Sequence, residues 1–309
     1  MESNAQLLDP ADAVDVAIRS GVSRRDALRQ AAMFSATLAA SPFALAALSN
    51  RAYGQTPEAL PQSIKDVLSF ALTLEHLEYE FYVRGLAPAV PATTTPPAPA
   101  IPAGPIPALP AGTPAGTPQP PDRVLFTTIA SHERDHVLFL QTALGFATPV
   151  VGPPTATNPV IPGRPEFGFD FTARGTFPTV LSDYQTYLAV SQGLEDTGVR
   201  AYKGQAAEFV ATDALASSTL VSATLQAALQ IHSVEARHAS AVRRLRGQKG
   251  WITLNQTDIP NTEATYAGEE AVIAVAGYSN EQISEAFDEI LTKDQVLAIA
   301  GPFIRTSAP

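Results

Sequence analysis

The spacing of apolar residues along the chain predicts helices, because apolar side chains recur at intervals of three and four and no alternating strand pattern persists. Four long segments show this spacing, at about residues 61–84, 122–145, 178–210 and 213–246. Gly85 and Gly145 are expected to end the first two helices, and Asp122 is expected to cap the start of the second. The fourth segment is expected to break near residues 217–218. The predicted fold class is all-α.

Two stretches rich in proline separate these helices. Residues 87–121 contain 13 prolines among 35 residues, which leaves too few apolar side chains for a core and predicts an extended loop inserted in the bundle. A recognition arm for a partner is the alternative. Residues 146–176 are too long for a hairpin turn, so the third helix need not lie beside the second. The bundle is expected over 56–250, followed by a C-terminal extension with short helices at 251–309.

The first 55 residues follow the order of an export signal. Arg24 and Arg25 precede a run without charge at 30–50, and small residues at 52–54 offer a cleavage site. The stretch S-R-R-D-A-L-R resembles the twin-arginine signal, with Ala27 where phenylalanine is usual. An uncleaved anchor or an amphipathic helix is the alternative reading. The expected location is the periplasm or cell envelope, with membrane contact only through the signal region.

Composition narrows the chemistry that the helices can carry. Apolar residues make up 45% of the 309 positions and charged residues 16%, as in a globular protein. The net charge of −10 argues against nucleic acid and anionic membrane surfaces as partners. The chain has no cysteine, so disulfides, zinc–thiolate sites, iron–sulfur clusters and cysteine catalysis are excluded. Any metal therefore depends on nitrogen and oxygen ligands.

Two predicted helices place ionisable residues in the stripe that should face the core. Glu133 and His136 are one turn apart on the second helix, among apolar residues of the same face. Glu235 and His238 repeat this E-x-x-H spacing on the fourth helix. A buried carboxylate without a partner is costly, so both pairs require a compensating charge.

The other two helices carry one inward glutamate each. Glu75 interrupts the apolar stripe of the first helix and Glu195 that of the third. A tyrosine follows each glutamate seven residues later, at Tyr82 and Tyr202, two turns along the same face. The chain therefore reads E…ExxH twice, which indicates a duplicated helix pair, with the proline-rich insert lengthening the first interval.

Four inward carboxylates and two imidazoles, with no inward lysine or arginine to offset them, call for two divalent cations. The order of these residues resembles that of the di-iron and di-manganese proteins of the ferritin-like superfamily. The stretches LTLEHLEYEFY, SVEARH and LAIAGPF, with the export signal, resemble bacterial ferritin-like domain proteins related to plant desiccation-related proteins. The residues that carry the resemblance are Glu75, Glu133-x-x-His136, Glu195 and Glu235-x-x-His238.

The resemblance covers about residues 62–246 and, more weakly, the C-terminal helix. It implies a ferritin-like four-helix bundle with a long crossover between the second and third helices and a site for two Fe or Mn ions. In such a site Glu133 and Glu235 would bridge or share the metals, while Glu75 and Glu195 would each be a terminal ligand.

Several neighbouring residues are placed outside this ligand set. Glu78 lies one turn after Glu75 and is either an additional ligand or a residue that supports the ligands from outside. Tyr82 and Tyr202 are either hydrogen-bond donors to the ligands or core aromatics. Three histidines do not fit the ligand spacing and are expected to be hydrogen-bonded structural residues: His76, His132 and His232.

The expected function is that of an exported di-metal protein with oxidase, peroxidase or catalase-like activity, which acts on oxygen or peroxide in oxidative or desiccation stress. Ligand identity fixes neither the metal nor the reaction, so enzymatic activity stays an open question. Hydrolysis is disfavoured, since no further base or nucleophile accompanies the site. The alternative is a non-catalytic metal-binding or structural envelope protein whose bundle and proline-rich arm bind a partner. A homo-oligomer is compatible with both.

Overall fold

The computed structural model describes residues 59–88, 93–94, 97–98, 102–110, 119–212, 218–271 and 275–308. The chain divides into two units, Met1–Glu58 and Ala59–Pro309, and all described residues belong to the second. The export signal expected at residues 1–55 lies outside them. In the part of the chain that is described, no helix is long and apolar enough to cross a membrane.

Four long helices build the second unit, and this confirms the predicted all-α class. They are α1 (Gln62–Leu86), α2 (Pro121–Ala143), α3 (Tyr184–Val210) and α4 (Thr219–Leu245). The extension carries α5 (Glu263–Tyr266), α6 (Asn280–Ser284), α7 (Lys293–Ala300) and a 3₁₀ turn at Gly301–Phe303. Two residues of strand β1 (Thr93–Thr94) pair with two of β2 (Pro97–Ala98) inside the proline-rich segment.

The long helices pack as two pairs. Helix α1 packs along α2 and α3 along α4, while α1 also contacts α3 and α2 contacts α4. The connection from Ala143 to Tyr184 carries the chain from one pair to the other, so the predicted crossover between the second and third helices is confirmed. Two apolar clusters fill the interior, one around Phe81, Phe126 and Tyr187 and one around Ile64, Leu72 and Leu140.

Two predicted ends of helices are wrong. Helix α1 does not stop at Gly85 but continues to Leu86, and Gly85 is buried against the ring of Tyr187 where no side chain would fit. Asp122 does not cap α2, because the helix already begins at Pro121, a residue whose missing N–H costs nothing at that position. The Asp122 carboxylate instead accepts a hydrogen bond of 2.6 Å from the hydroxyl of Tyr184.

Side-chain caps mark the starts of the third and fourth helices: the third begins later than its apolar spacing predicts, and the fourth begins beside the break expected near residues 217–218. Helix α3 begins at Tyr184 because the Asp183 side chain accepts a hydrogen bond of 2.8 Å from the backbone N–H of Thr186. Helix α4 begins at Thr219, and the Ser218 side chain caps it in the same way. The predicted start of the fourth helix at residue 213 lies outside the described residues.

The proline-rich segment contributes to the core, contrary to the prediction. Ile106 is only 3% exposed and belongs to the cluster around Phe81 and Tyr187. Its backbone N–H donates to the carbonyl of Gly85 at 3.2 Å, and the N–H of Gly104 donates to that of Ala87 at 2.9 Å. These bonds hold the segment against the end of α1, so one isoleucine is buried even though the segment as a whole is poor in apolar residues.

Ile106→Ala is expected to lower the free energy of unfolding by about 2–4 kcal/mol, because it removes a buried side chain and leaves a cavity. Val160→Ala is the matched control, since Val160 is 78% exposed and its truncation should change stability by less than about 0.5 kcal/mol. Urea unfolding of the two variants and the parent chain measures both effects. Equal stability of the two variants would show that the loop is not part of the core.

Candidate metal centre

The four long helices bring six ionisable side chains together at the centre of the bundle. The spacing of three residues in α2 and α4 places each Glu and His on one helix face, and α1 and α3 add one glutamate each. All four glutamates are fully buried, and the two histidines are nearly so. The structure therefore brings every predicted ligand to one place: Glu75, Glu133, His136, Glu195, Glu235 and His238.

The first half of the site surrounds one nitrogen of His136. The Nδ1 atom lies 3.1 Å from Glu75 Oε2, 3.0 Å from Glu133 Oε2 and 3.0 Å from Glu235 Oε1. An N–H group can donate a full hydrogen bond to only one of these oxygens at a time. Three carboxylates from three helices thus converge on a position that a single proton does not satisfy.

The second half repeats this arrangement around His238. The Nδ1 atom lies 2.9 Å from Glu133 Oε1, 3.3 Å from Glu195 Oε2 and 3.5 Å from Glu235 Oε2. Glu133 and Glu235 therefore take part in both halves, each with one oxygen in either half. Glu75 belongs only to the first half and Glu195 only to the second. This is the division into shared and terminal carboxylates that the resemblance implies, and the role of these residues as ligands stays a prediction.

Several of these buried atoms have no hydrogen-bond partner. They include one oxygen of Glu133, one of Glu195, both of Glu235 and Nδ1 of His238, although opposite charges lie close by. The distances are short enough for attraction, but the angles do not form hydrogen bonds. Unpaired buried polar atoms are costly, and carboxylate oxygen with imidazole nitrogen is the donor set that suits Fe and Mn. The residues present therefore fit two divalent cations.

The protonation of the site follows from burial and from mutual contact. Burial raises the pKa of Glu75 to about 8, against the opposing charge of His136, and raises the pKa of Glu195 well above its usual value. Burial alone would lower the pKa of His136, but Glu75 and the other carboxylates hold it well above its ordinary range. Without a cation the site therefore retains protons, and a bound cation would replace them.

Two tyrosines support the terminal glutamates across the bundle. Tyr202 on α3 donates a hydrogen bond to Glu75 on α1, and Tyr82 on α1 donates to Glu195 on α3 and lies 2.8 Å from the hydroxyl of Ser191. In the sequence, Tyr82 follows Glu75 and Tyr202 follows Glu195, by two helical turns in each case. Each tyrosine nevertheless binds the glutamate of the other helix. The sequence spacing identified both tyrosines, whereas the crossing of the two bonds required the packing of α1 against α3.

The histidines outside the ligand set differ in position. His76 Nε2 lies 2.9 Å from the carbonyl of Pro162, and burial lowers the pKa of His76 to about 4, so the ring is a neutral donor to the crossover. His132 lies closer to the site than expected, since its Nδ1 is 2.9 Å from Nε2 of His238. Sequence reasoning missed this contact, because His132 lies one turn before His136 on the same face but does not fit the E-x-x-H ligand spacing. His232 belongs to neither half.

Glu78 is a fifth buried carboxylate next to the site. It is 3% exposed and lies outside both groups of converging atoms, so the structure places Glu75 in the cluster and Glu78 beside it. Burial, and after it the charges of Glu235 and Glu195, raise the pKa of Glu78 well above its ordinary value. The carboxylate lies against α3, where a Cβ atom on Gly198 would be 3.2 Å from Glu78 Oε1.

The family model described as a ferritin-like domain matches residues 63–248, which is more than half of the chain. The matched range includes all of the converging side chains and nearly the whole of α1 through α4. No curated protein matches the chain.

Tyr202→Phe is expected to destabilise the metal-free protein by about 1–3 kcal/mol, because it removes the hydrogen-bond donor to one oxygen of the buried carboxyl of Glu75. Tyr278→Phe is the control, since Tyr278 is 64% exposed and its hydroxyl should be dispensable. Urea unfolding after removal of metal by a chelator measures the difference. If both variants unfold together with the parent chain, the hydroxyl of Tyr202 does not support Glu75.

Proposed function

Because the chain belongs to the ferritin-like domain family, we propose that it is an exported protein that binds two Fe or Mn ions and uses them in redox chemistry with oxygen or peroxide. The observation that carries the proposal is that two histidine nitrogens, in adjacent positions, are each surrounded by three buried carboxylate oxygens. One proton on each nitrogen cannot form hydrogen bonds to all three surrounding oxygens, whereas a cation can bind several oxygens at once.

Charge balance supports two ions rather than one. Glu75, Glu133, Glu195 and Glu235 together carry about four negative charges when ionised, and two divalent cations neutralise four charges. Each half offers three carboxylate oxygens and one imidazole nitrogen, so each can hold an ion with ligands from three helices. Glu133 and Glu235 would connect the two ions.

Fe or Mn bound here would supply one- or two-electron redox chemistry, because hard oxygen ligands stabilise their higher oxidation states. The side chains of the protein would hold the ions in place and keep water away from them. Tyr82 and Tyr202 orient Glu195 and Glu75, and His132 orients the ring of His238 through its outer nitrogen. The complete burial of the four glutamates excludes bulk water from the space between them.

Export and a protective role under oxidative or desiccation stress are part of the proposal. Support comes from the paired arginines Arg24 and Arg25 before an uncharged run, which resemble a twin-arginine signal. That pathway carries proteins already folded, often with a metal in place, and so would suit a buried metal centre. Oxygen or peroxide would be the small-molecule partners, and a homo-oligomer is compatible with the arrangement.

A second candidate is a non-catalytic protein in which the metal links the bundle together. The complete burial of Glu75, Glu133, Glu195 and Glu235 favours it, since a site closed to water holds ions well and admits substrates poorly. Ligands from all four helices would then act as a cross-link between the two helix pairs. The proline-rich segment would be the arm that binds an envelope partner.

Protein exported by its native host is expected to contain about two Fe or Mn ions per chain, and their removal should lower the free energy of unfolding by about 2.7 kcal/mol per ion at a hundredfold excess over Kd. Glu235→Ala is expected to abolish most of the metal content, because Glu235 contributes an oxygen to both halves. Glu208→Ala removes an exposed glutamate of α3 and is the matched control. Elemental analysis and thermal unfolding measure these effects.

Metal content near zero in the exported protein, with a Glu235→Ala variant as stable as the parent, would contradict the di-metal proposal. Assays of peroxide consumption and Fe(II) oxidation then separate the two candidates. Activity that is lost in Glu235→Ala and kept in Glu208→Ala supports the redox function. A metal-loaded protein that is inactive in both assays supports the structural alternative.

A further inference from the structure

The two halves of the site are related by the duplication of the helix pair. Aligning α1 on α3 by Glu75 and Glu195 also aligns Tyr82 with Tyr202, and aligning α2 on α4 by their E-x-x-H pairs matches both histidines. The contacts follow this relation, since each half has one terminal glutamate, one histidine and an oxygen from each shared glutamate. A residue that breaks the relation therefore makes one metal position different from the other.

The first such residue is Glu78, whose counterpart on α3 is Gly198. Gly198 lies one turn after Glu195, and a Cβ atom there would be 3.2 Å from Glu78 Oε1 and 3.9 Å from Glu235 Cγ. The space that a side chain on α3 would fill is thus taken by the carboxylate of Glu78, which reaches across from α1. The buried carboxylate of Glu78 thus lies against α3 one turn after Glu195, at a position that is a glycine.

The second such residue is His132, whose counterpart on α4 is Val234. His132 Nδ1 lies 2.9 Å from Nε2 of His238, and the two rings lie nearly parallel with their centroids 5.2 Å apart. The contact engages the outer nitrogen of His238 and leaves Nδ1 directed at the three carboxylates. The corresponding Val234 carries no donor or acceptor that could do the same for His136.

We propose that the two metal positions are inequivalent and that the one formed by Glu195 and His238 binds its ion first and more tightly. Both departures from the duplication lie on this side of the site. Glu78 places a further carboxylate beside the ion, and His132 acts as a positioning residue that fixes the ring of His238. The inference rests on the proposed function, since it orders the loading of the two ions proposed there.

The test uses Mn²⁺ alone as the probe and the full chain after removal of metal by a chelator. Anaerobic titration, followed by the electron paramagnetic resonance signal of free Mn²⁺, gives the two stepwise affinities. The first ion is expected to bind at least about 10-fold more tightly than the second, beyond the statistical difference between two equal sites. Equal intrinsic affinities would overturn the inference.

Two substitutions assign the tighter position. Glu78→Gln keeps the shape and replaces the carboxylate by a neutral amide, and it is expected to weaken the first ion by about 10–100-fold while changing the second by less than about threefold. Glu208→Gln, on the exposed side of α3, is the charge-matched control and should change neither. Equal weakening of both ions by Glu78→Gln, or no change, would overturn the role of Glu78.

The role of His132 is tested by rescue. His132→Leu removes the acceptor behind His238 and should weaken the first ion, whereas His132→Asn restores an acceptor near the place of Nδ1 and should recover most of the affinity. If His132 had only a structural role, the variants would differ in thermal stability, but the substitutions would not weaken the first ion more than the second. Equal affinities in the Leu and Asn variants would overturn the positioning role.

A crystal of the parent protein loaded with one equivalent of Mn²⁺ gives a readout that does not depend on any variant folding. Anomalous scattering at the Mn edge is expected mainly at the Glu195–His238 position. Equal signals at both positions, or a stronger signal beside Glu75 and His136, would overturn the inference and leave the proposed function intact. A protein that binds neither Mn²⁺ nor Fe²⁺ would overturn the proposed function and this inference with it.

Discussion

The structure depends on the burial of four carboxylates and two imidazoles at the centre of a helix bundle. In an interior of low dielectric the four carboxylates repel one another strongly unless protons or cations lie between them. Their positions must therefore be held against that repulsion by contacts outside the site. Tyr82 and Tyr202 provide two of these contacts, and because each bond joins α1 to α3, the two helix pairs are held in register by the same bonds that orient the terminal glutamates.

The crossover follows the first helix pair and the C-terminal extension follows the second. Each of these segments also holds its helix pair in place, through contacts on the outer side of the pair. Glu80 on α1 receives a hydrogen bond of 3.0 Å from Arg164 of the crossover, and Arg200, at the corresponding place on α3, lies 2.9 Å from Glu269 of the extension. Arg200 also donates to the backbone carbonyls of Ala267 and Glu289. The charge is reversed between the two pairs, but the role is the same. The crossover and the C-terminal extension each fix the helix that bears a terminal glutamate, which explains why so much irregular chain surrounds a simple bundle.

Much of the fold and of the candidate site could be predicted from local sequence. The features that could not be predicted depend on contacts between residues that are distant in the chain. The helices and the six converging side chains follow from periodicity, since a spacing of three places Glu and His on one face wherever the helix packs. The end of α1 did not follow, because Gly85 stays helical and packs against the ring of Tyr187, a residue distant in the chain. Ile106 and His132 were missed for the same reason. The backbone bonds of Ile106 to α1 and the contact of His132 with His238 join residues far apart in the chain, and no local pattern encodes them.

The buried arginines of the chain do not neutralise the six converging side chains. Arg200 and Arg243 are buried on α3 and α4, each five residues beyond a residue of the site, a spacing that turns them to another face of the helix. Neither is available to the site, because Arg200 is paired with Glu269 and Arg243 with Asp196, which also accepts a hydrogen bond from Tyr266. A buried arginine that is already paired gains little by moving and would leave an unpaired carboxylate behind. Glu269 and Asp196 therefore pair with the two buried arginines, and neither arginine offsets the charge of the four converging glutamates.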